Sequence, residues 1–408
     1  MILLAGADIV LPARVVSSGC LLIDADRIVA VEEKVIDTPS GATRIDIPNT
    51  IVVPGFVDVH VHGVEGHDVL DGAGSIAQVA RRLPKYGVTS FCPTSVACDP
   101  VTLRAMLAEV DALRAAPAGL SARVLPAHLE SNFINPDYKG AQPLACLRSP
   151  RPEPGHEAQR QRHEVDHYVA SDILGAIAAH AASVGIVTIA PELDGGIDLV
   201  RQLAANGHRV SLGHSAATYE QAVESVAAGV CHATHLFNRM TPMTHRAPGA
   251  PGAVLQSEGV VAELICDGFH VHPAMLHMAI RTKGARGIMA ITDGTAGSGL
   301  AVGARTRLGG RAIIVTARTA ELEDGTLAGS VLTMDGAFRT LVHQTGVSIV
   351  DAASMCATTP ARQMKLADIG RIEVGAIADL AVLDRGFRVA ATYLAGQPWR
   401  NTTPAPFV

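Results

Sequence analysis

The sequence predicts an α/β protein, a (β/α)8 TIM-like barrel with a small β-sandwich domain built from both chain termini. Two observations predict the barrel: short apolar strands alternate with alanine-rich helical segments from about residue 54 to about residue 350, and the alternation repeats eight times. A third observation predicts the small domain, because β-like segments separated by turn residues precede and follow this region. A doubly wound open sheet is the alternative fold, but it would normally carry a glycine-rich phosphate turn after an early strand, and the sequence has none.

The two ends of the chain are predicted to pair with each other. Turn residues such as Asp24-Ala25-Asp26 separate short β-like segments near the start of the chain: Ile2–Leu4, Asp8–Leu11, Gly19–Asp24, Arg27–Glu32 and Arg44–Pro48. After about residue 366 the pattern is again β-like, at Gly370–Ile372, Asp379–Leu383 and Val389–Leu394. We therefore predict a small domain from residues 1–53 and 366–408, and a catalytic barrel domain from residues 54–365.

Within the barrel region, strands and helices are predicted in alternation. The predicted strands are Val52–Asp58, Val88–Pro93, Val124–Glu130, Ile186–Ala190, Arg209–Gly213, Val230–His235, Val261–Cys266 and Gly287–Thr292. The predicted helices include Ser75–Tyr86, Thr102–Ala115, Asp172–Ser183, Leu199–Ala205, Tyr219–Ala228 and Pro273–Lys283.

The composition excludes several classes of function. The 408 residues are 48% hydrophobic and 18% charged, which is typical of a soluble globular protein with one large and one smaller domain. The net charge is -6 without a Lys/Arg cluster and aromatic residues make up 3%, so the chain offers no surface for nucleic acid. No apolar run is long enough to span a membrane. Seven scattered cysteines without a Cys-x-x-Cys pair are typical of reduced thiols, so we expect a cytoplasmic protein.

The first predicted barrel strand ends in two histidines, His60 and His62. Residues i and i+2 of a strand point to the same side, so we expect both imidazoles to face one point. Two neutral imidazoles that converge at a strand end form half of a metal site. A pair of ordinary surface or core histidines is the alternative, and the other strand ends decide between the two.

Histidines and carboxylates also follow most of the other predicted strands. Active sites of (β/α)8 barrels lie at the carboxyl ends of the strands, and those ends carry His128 and Glu130, His214, His235, Asp267 and His270, and Asp293. Packing alone explains such a set poorly, because buried polar groups need partners. We therefore predict a divalent metal site with nitrogen and oxygen ligands, which suits zinc and also iron, manganese or cobalt.

Each of these residue types has a chemical use at such a site. Glu130 can bind one ion or bridge two, while His214 and His235 add neutral nitrogen ligands. An open coordination position would hold a water with its pKa lowered towards about 7, and Asp293 would act as its general base and as the acid for the leaving nitrogen. For His128 a structural role and a site role both stay open.

Seven motifs resemble those of one enzyme family, in the same order and over nearly the whole chain. The segment 54–63, from Pro54-Gly55-Phe56 to His60-Val61-His62-Gly63, resembles the first-strand signature of the amidohydrolase superfamily. The other motifs are His128-Leu129-Glu130, Gly213-His214-Ser215, Thr234–Asn238, Asp267–Val271, Thr292-Asp293-Gly294 and Gly329–Met334. Together they are similar to the motifs of the N-acetylglucosamine-6-phosphate deacetylase family.

The resemblance implies a metal-dependent hydrolase that converts N-acetylglucosamine 6-phosphate to glucosamine 6-phosphate and acetate. Its motif positions would make Glu130, His214 and His235 the principal metal ligands and Asp293 the catalytic acid and base. His60 and His62 match the ligands of a second metal in some members of the family. The resemblance therefore implies one or two ions per chain, bridged by Glu130 in the second case.

The resemblance also implies how the substrate is held. Asn238, Arg246 and His270 match positions that bind the sugar and its phosphate, with Arg246 and His270 reaching in from the partner subunit of a homodimer. A guanidinium group suits phosphate because its planar fork binds two oxygens at once.

The chain departs from the family pattern near the substrate. Ser131-Asn132 stands where the family usually has Gly-Pro, Arg239 where a small residue is common, and Ala247 where an acidic residue is common. Gln142 replaces a histidine, so we expect it to donate a hydrogen bond near the acetyl group without carrying charge. The alternatives are the same chemistry on N-acetylgalactosamine 6-phosphate, on an unphosphorylated acetamido sugar or on another amide, or a non-catalytic barrel that binds sugar phosphates.

Overall fold

The computed structural model describes residues 1–151 and 170–400. In chain order its strands are β1 (Ile2–Val10), β2 (Val15–Asp24), β3 (Arg27–Glu32), β4 (Thr43–Asp46), β5 (Ile51–Pro54), β6 (Phe56–Val61), β7 (Gly63–Val64), β8 (His67–Asp68), β9 (Val88–Ser95), β10 (Arg123–Val124), β11 (Ala127–Leu129), β12 (Val184–Ile189), β13 (Arg209–Leu212), β14 (Val230–Ala233), β15 (Val261–Ile265), β16 (Ile288–Ile291), β17 (Arg305–Leu308), β18 (Arg311–Val315), β19 (Ala320–Leu322), β20 (Leu380–Leu383), β21 (Val389–Leu394) and β22 (Gln397–Pro398). Its α-helices are α1 (Ser75–Arg82), α2 (Pro100–Ala115), α3 (Ala170–Ala179), α4 (Gly196–Ala205), α5 (Tyr219–Ala228), α6 (Gly249–Gln256), α7 (Pro273–Lys283), α8 (Met334–Thr345), α9 (Ile349–Ala353) and α10 (Thr359–Gln363). A π-helical turn, Ser354–Thr358, joins α9 to α10.

A parallel β-barrel forms the centre of the molecule. Its strands pair in the order β6-β9-β11-β12-β13-β14-β15-β16, and β10 pairs with β9 just ahead of β11. β16 closes onto β6, since Asp293 N donates to His60 O at 2.9 Å and His62 N donates to Gly294 O at 2.8 Å. The predicted (β/α)8 barrel is confirmed, and parallel pairing places the carboxyl ends of all its strands at one face.

Side chains just before some barrel helices form N-caps that stabilise the first turn. The Asp99 side chain accepts hydrogen bonds from Val101 N and Thr102 N at the start of α2. Thr218 and Gln221 form a capping box at the start of α5. Helix α6 was not predicted, because its sequence GAPGAVLQ contains glycine and proline, which are poor helix formers. Nearly every residue of α6 is buried, so packing rather than propensity stabilises this helix.

Strands from both termini form a separate sheet in the order β22-β21-β20-β5-β1-β2-β3. One edge of β1 serves two neighbours, because its first half pairs with β4 and its second half with β5, and Gly6 with φ +86° lies between the halves. Leu4, Leu21 and Leu380 contribute to an apolar core that belongs to this sheet. The prediction that both termini build the small β domain is confirmed. The boundaries at 53/54 and 365/366 stay predictions, and residues 401–408 lie outside the described residues.

A three-stranded antiparallel sheet, β17-β18-β19, follows the last barrel strand and was not predicted. Its strands are short, and Arg305 and Arg307 of β17 are exposed and charged, so the segment lacks the continuous apolar pattern of a barrel strand. Asp68 accepts a hydrogen bond from Gly309 N at 2.9 Å and holds this sheet against the barrel face. Among the described residues, no helix combines the length and the apolar character needed to cross a bilayer.

Candidate metal centre and active site

Side chains from the carboxyl ends of five barrel strands converge on one pocket of about 560 Å³. Four of the predicted metal ligands and the predicted acid/base line it together: His62, Glu130, His214, His235 and Asp293. His60 is fully buried and contacts His62 and Asp293 at the same strand ends. The structure therefore brings together every predicted metal ligand and the predicted acid/base.

Three of these side chains enter the pocket from residues with a left-handed backbone. The φ angle is +50° at His214, +28° at His235 and +48° at Asp293. A residue other than glycine held in this region costs about 1–3 kcal/mol, so the surrounding structure must stabilise it. The largely buried strands that precede these residues provide that support.

Glu130, His214 and His235 form the first candidate metal group. Glu130 Oε1 lies 2.7 Å from His214 Nε2 and 2.8 Å from His235 Nε2, and the two ring nitrogens lie 3.1 Å apart. The lone pairs of two ring nitrogens and one carboxylate oxygen repel one another at these distances unless protons or a cation lie between the atoms. The donor set is therefore suited to a divalent ion with nitrogen and oxygen ligands.

His60, His62 and Asp293 form the second candidate group. Asp293 Oδ1 lies 3.1 Å from His62 Nε2 and 3.3 Å from His60 Nε2, and these two nitrogens lie 3.3 Å apart. The other oxygen of Glu130, Oε2, lies 3.4 Å from His62 Nε2. Glu130 thus directs one oxygen towards each group, which is the arrangement that a bridging carboxylate needs.

Without an ion, protons on the histidines balance the charge of this cluster. Burial alone would lower the pKa of His60, but Glu263 and Asp293 outweigh it and raise that pKa to about 9. Burial alone would raise the pKa of Glu130, but His214 and His235 outweigh it and lower that pKa well below its usual range. The carboxylate stays ionised, and a divalent cation can replace the histidine protons that balance it.

Glu263 on β15 lies beneath the pocket and was missed by the sequence analysis. It is fully buried and accepts hydrogen bonds from His60 Nδ1 and His232 Nε2, both at 2.8 Å, and from His235 N at 3.1 Å. Its sequence signature was one acidic residue inside an otherwise apolar strand. A buried carboxylate at such a position needs donors around it, and here the donors are residues of the site and its support.

His128 also lies beneath the pocket and not in it. Its ring nitrogens contact Val59 O at 3.1 Å and Thr188 Oγ1 at 2.8 Å. Burial, and then the nearby His60, lowers the pKa of His128 to about 3, so the ring is neutral. His60, His128 and Glu263 are close enough to share an ion. However, both ring nitrogens of His128 and both carboxylate oxygens of Glu263 already have hydrogen-bond partners. The contacts favour the structural role for His128.

Gln142 faces Glu130 in the pocket wall. Ala97 N, which can only donate, lies 2.7 Å from Gln142 Oε1, so the amide nitrogen is the group that lies 2.5 Å from Glu130 Oε2. Gln142 therefore orients the predicted bridging carboxylate, a contact that the sequence did not indicate. Its second amide N–H is left for a ligand in the pocket.

Two of the three predicted sugar-phosphate residues line the pocket of their own chain, namely Asn238 and His270. Asp267 holds His270, because its carboxylate accepts from His270 N and lies 2.6 Å from His270 Nδ1. The expectation that His270 comes from a partner subunit is wrong, because His270 lies five residues after the end of β15 and lines the pocket of its own chain. Arg246 is exposed on the 241–247 segment and does not line this pocket.

The family departures at Ser131 and Asn132 lie outside the pocket lining. Ser131 Oγ donates to Thr188 O and accepts from Phe133 N, while Asn132 Nδ2 donates to two backbone carbonyls at 2.7 Å. These residues form hydrogen bonds with the backbone around the loop after β11 and do not line the pocket. The sequence analysis did not assign a group of other pocket-lining residues: Tyr138, Phe237, Arg239, Met240, Leu308 and Leu327.

Known proteins are similar to this chain in sequence and in fold. The sequence profile of the amidohydrolase family matches residues 51–399. N-acetylglucosamine-6-phosphate deacetylase of Mus musculus is 34% identical, over 95% of this chain and 92% of that protein. N-acetylgalactosamine-6-phosphate deacetylase of Escherichia coli O157:H7 is 33% identical, over 91% of this chain and 93% of that protein. The structure of a mutant N-acetyl-D-glucosamine-6-phosphate deacetylase from Mycobacterium smegmatis, in complex with N-acetyl-D-glucosamine-6-phosphate, has 31% identity and a TM-score of 0.84 over 97% of this chain and 98% of its own. This chain therefore belongs to the amidohydrolase family, in the group of the N-acetylglucosamine-6-phosphate deacetylases.

Proposed function

We propose that this enzyme hydrolyses the acetamide of N-acetylglucosamine 6-phosphate to glucosamine 6-phosphate and acetate. The observation that carries the proposal is the convergence of Glu130, His214 and His235 with Asp293 at one pocket. The mouse and mycobacterial relatives bear this activity in their names. A binding protein would not need a carboxylate base beside a set of metal ligands, which argues against a non-catalytic barrel.

We propose zinc as the ion, held by Glu130, His214 and His235, although iron, manganese and cobalt accept the same donors. When bound, the ion acts as a Lewis acid on the acetamide and lowers the pKa of a water. His60 and His62 would hold a second ion together with Glu130. Metal analysis should then find more than one ion per chain, and fewer in His60→Ala. One ion in both proteins would exclude the second site.

Asp293 is proposed to move the proton. Burial would raise the pKa of Asp293, but the charges of His60 and His62 outweigh it and lower that pKa, so the carboxylate is ionised. It can accept a proton from the attacking water and pass it to the nitrogen as the C–N bond breaks. Asp293→Asn should lower kcat by about 10²–10⁴-fold. Unchanged turnover in that variant would remove Asp293 from this role.

The remaining pocket residues are proposed to hold the sugar. Asn238, His270 and the free amide N–H of Gln142 lie in the wall where a sugar can contact them. Arg246 is exposed and does not line its own pocket, so we propose that it acts in the partner's pocket of a homodimer. Sedimentation of the purified protein tests for the dimer. The seven cysteines are free thiols in the structure, which supports a cytoplasmic location.

N-acetylgalactosamine 6-phosphate is the second candidate substrate, because the Escherichia coli relative named for that activity is 33% identical. The two sugars differ only in the orientation of one ring hydroxyl. A steady-state assay on the metal-loaded protein should compare kcat/KM for both phosphates and for the unphosphorylated sugars. A preference for N-acetylglucosamine 6-phosphate is expected. Preference for another sugar would change the substrate, and no turnover of any of them would overturn the proposed function.

A further inference from the structure

Among the described residues that line the pocket, Arg239 is the only lysine or arginine. It follows Asn238 directly, in the loop after β14. Its guanidinium group has no hydrogen bond or ion pair to any residue that the structure describes. A cation without a protein partner, at the wall of a ligand pocket, is available for an anion.

The backbone holds Arg239 in this position. Arg239 has φ +52°, and Phe237, two residues earlier, has φ +78°, so both residues have a backbone conformation that the surrounding structure must stabilise. Arg239 O accepts from Ser215 N at 3.0 Å, which ties the loop to the neighbouring strand end. These contacts place Arg239 by its backbone and leave the side chain for a ligand.

Gly140, which lines the same pocket, leaves room for the guanidinium group of Arg239. A Cβ atom built on Gly140 would lie 2.8 Å from Arg239 Nε and 3.3 Å from its Cζ, so a larger residue at position 140 would collide with the side chain. Arg239 thus crosses from the loop after β14 to the segment that carries Gln142. The guanidinium lies on the lining of the pocket whose metal-ligand end is formed by Glu130 and Asp293.

We propose that Arg239 binds the phosphate of the substrate within its own subunit and makes the enzyme prefer phosphorylated over free amino sugars. This inference rests on the proposed function. When the acetamide at C2 lies at the metal ligands, the phosphate at C6 lies on the other side of the sugar ring, away from Glu130 and Asp293. The guanidinium can bind two phosphate oxygens at once, and Arg246 of the same chain is outside this pocket.

The test compares two product-like ligands that share the amino group and differ in the phosphate. Glucosamine 6-phosphate and glucosamine are titrated calorimetrically into metal-loaded wild type, Arg239→Met and Arg239→Lys. Arg239→Met keeps the length of the side chain but removes its charge, so it should weaken glucosamine 6-phosphate binding by about 10–100-fold and leave glucosamine binding unchanged. Arg239→Lys keeps the charge without the fork and should lose less. Arg104→Ala, which removes an exposed arginine of α2, controls for net charge.

The outcomes separate this proposal from the proposed function. If Arg239→Met weakens both ligands equally, or neither, Arg239 does not bind the phosphate, whatever the enzyme hydrolyses. If wild type shows no preference for glucosamine 6-phosphate over glucosamine, the proposal is also overturned. If the preference and its loss in Arg239→Met are observed while no acetamido sugar is turned over, Arg239 is confirmed as an anion site and the deacetylase assignment fails by itself.

Discussion

At the scale of single residues, His60 connects the pocket to the barrel interior through its two ring nitrogens. Because Glu263 is ionised and can only accept, His60 must donate Nδ1–H to it, which leaves Nε2 directed at His62 and Asp293. Burial would raise the pKa of Glu263, but the charge of His60 and the hydrogen bonds from His232 and His60 outweigh it and lower that pKa well below its usual range. A carboxylate behind a ligating histidine selects the tautomer and the ring orientation that a metal requires.

Glu263→Gln should therefore weaken metal binding without removing a ligand. The amide cannot accept from both His60 and His232, so one ring loses its orientation. We expect metal affinity about 10–100-fold below that of wild type, measured by competition with a chelator and by metal analysis after dialysis. Glu109→Gln, which alters a carboxylate that caps the backbone near α1, is the matched control. Wild-type metal affinity in Glu263→Gln would show that Glu263 does not position His60.

His270 is a second residue whose charge is set by a neighbour. Burial would lower its pKa, but the Asp267 carboxylate at 2.6 Å outweighs it and raises the pKa above the usual 6.5. The positive charge is therefore present at pH 6.5 and is lost as the pH rises through the raised value.

From this sign we predict that KM for the phosphorylated substrate rises with pH above about 7, where the phosphate is already a dianion. The KM for the unphosphorylated sugar should change little over the same range. In His270→Gln the pH dependence of the ratio between the two KM values should disappear. If the ratio keeps the wild-type pH profile in this variant, the charge of His270 does not contribute to phosphate binding.

At the scale of elements, the β17-β18-β19 sheet completes the pocket that the barrel strands begin. Leu308 of this sheet and Leu327, which follows it, line the pocket. Arg311 on β18 donates to Ala141 O at 2.6 Å and thereby holds the segment that carries Gln142. The sheet is thus a cover that positions a wall residue, although it contributes none of the predicted metal ligands.

Arg311→Ala should release the Ala141 carbonyl and move Gln142 relative to Glu130. Small displacements at an active site reduce the rate strongly, so we expect kcat/KM to fall by about 10-fold or more, with an unchanged thermal midpoint. Arg307→Ala removes an exposed arginine from the adjacent strand and is the matched control. Equal activity of the two variants would mean that the hydrogen bond to Ala141 has no role in positioning the wall.

At the scale of the whole molecule, the sheet from both termini supports the barrel from outside. β20 pairs with β5, and β5 continues through Gly55 into the first barrel strand. Thr392 Oγ1 donates to Pro84 O at 2.7 Å, and Arg123 pairs with the buried Asp379 at 3.3 Å. The sheet and the barrel therefore contact each other through both the chain connection and polar side chains.

Leu380→Ala should lower the stability of the protein without changing its chemistry. Leu380 is fully buried in the core of the terminal sheet, so truncation should cost about 2–5 kcal/mol of unfolding free energy in a urea titration. Below the unfolding transition kcat/KM should equal that of wild type, because Leu380 is outside the pocket. Leu120→Ala, at an exposed leucine, is the control and should change stability little. A loss in Leu380→Ala no larger than in Leu120→Ala would contradict this account of the terminal core.

Much of the fold and of the metal site could be predicted from the sequence because both follow local rules. Strand periodicity and chain order are sufficient to predict a parallel barrel, and the barrel topology then implies that His60, Glu130, His214 and Asp293 meet at one face. Helix α6 and the β17-β18-β19 sheet were missed, because packing stabilises them against a weak local pattern.

The sequence by itself determined the barrel, the terminal β domain and the identity of the groups at the strand ends. Only the tertiary structure decided which group each atom contacts: Glu263 behind His60, Gln142 on Glu130, His270 in the pocket of its own chain and Arg239 across from Gly140. The physical reason is distance along the chain. Periodicity reports on neighbours within one element, whereas Glu263 and His60 are 203 residues apart and meet only when the barrel closes.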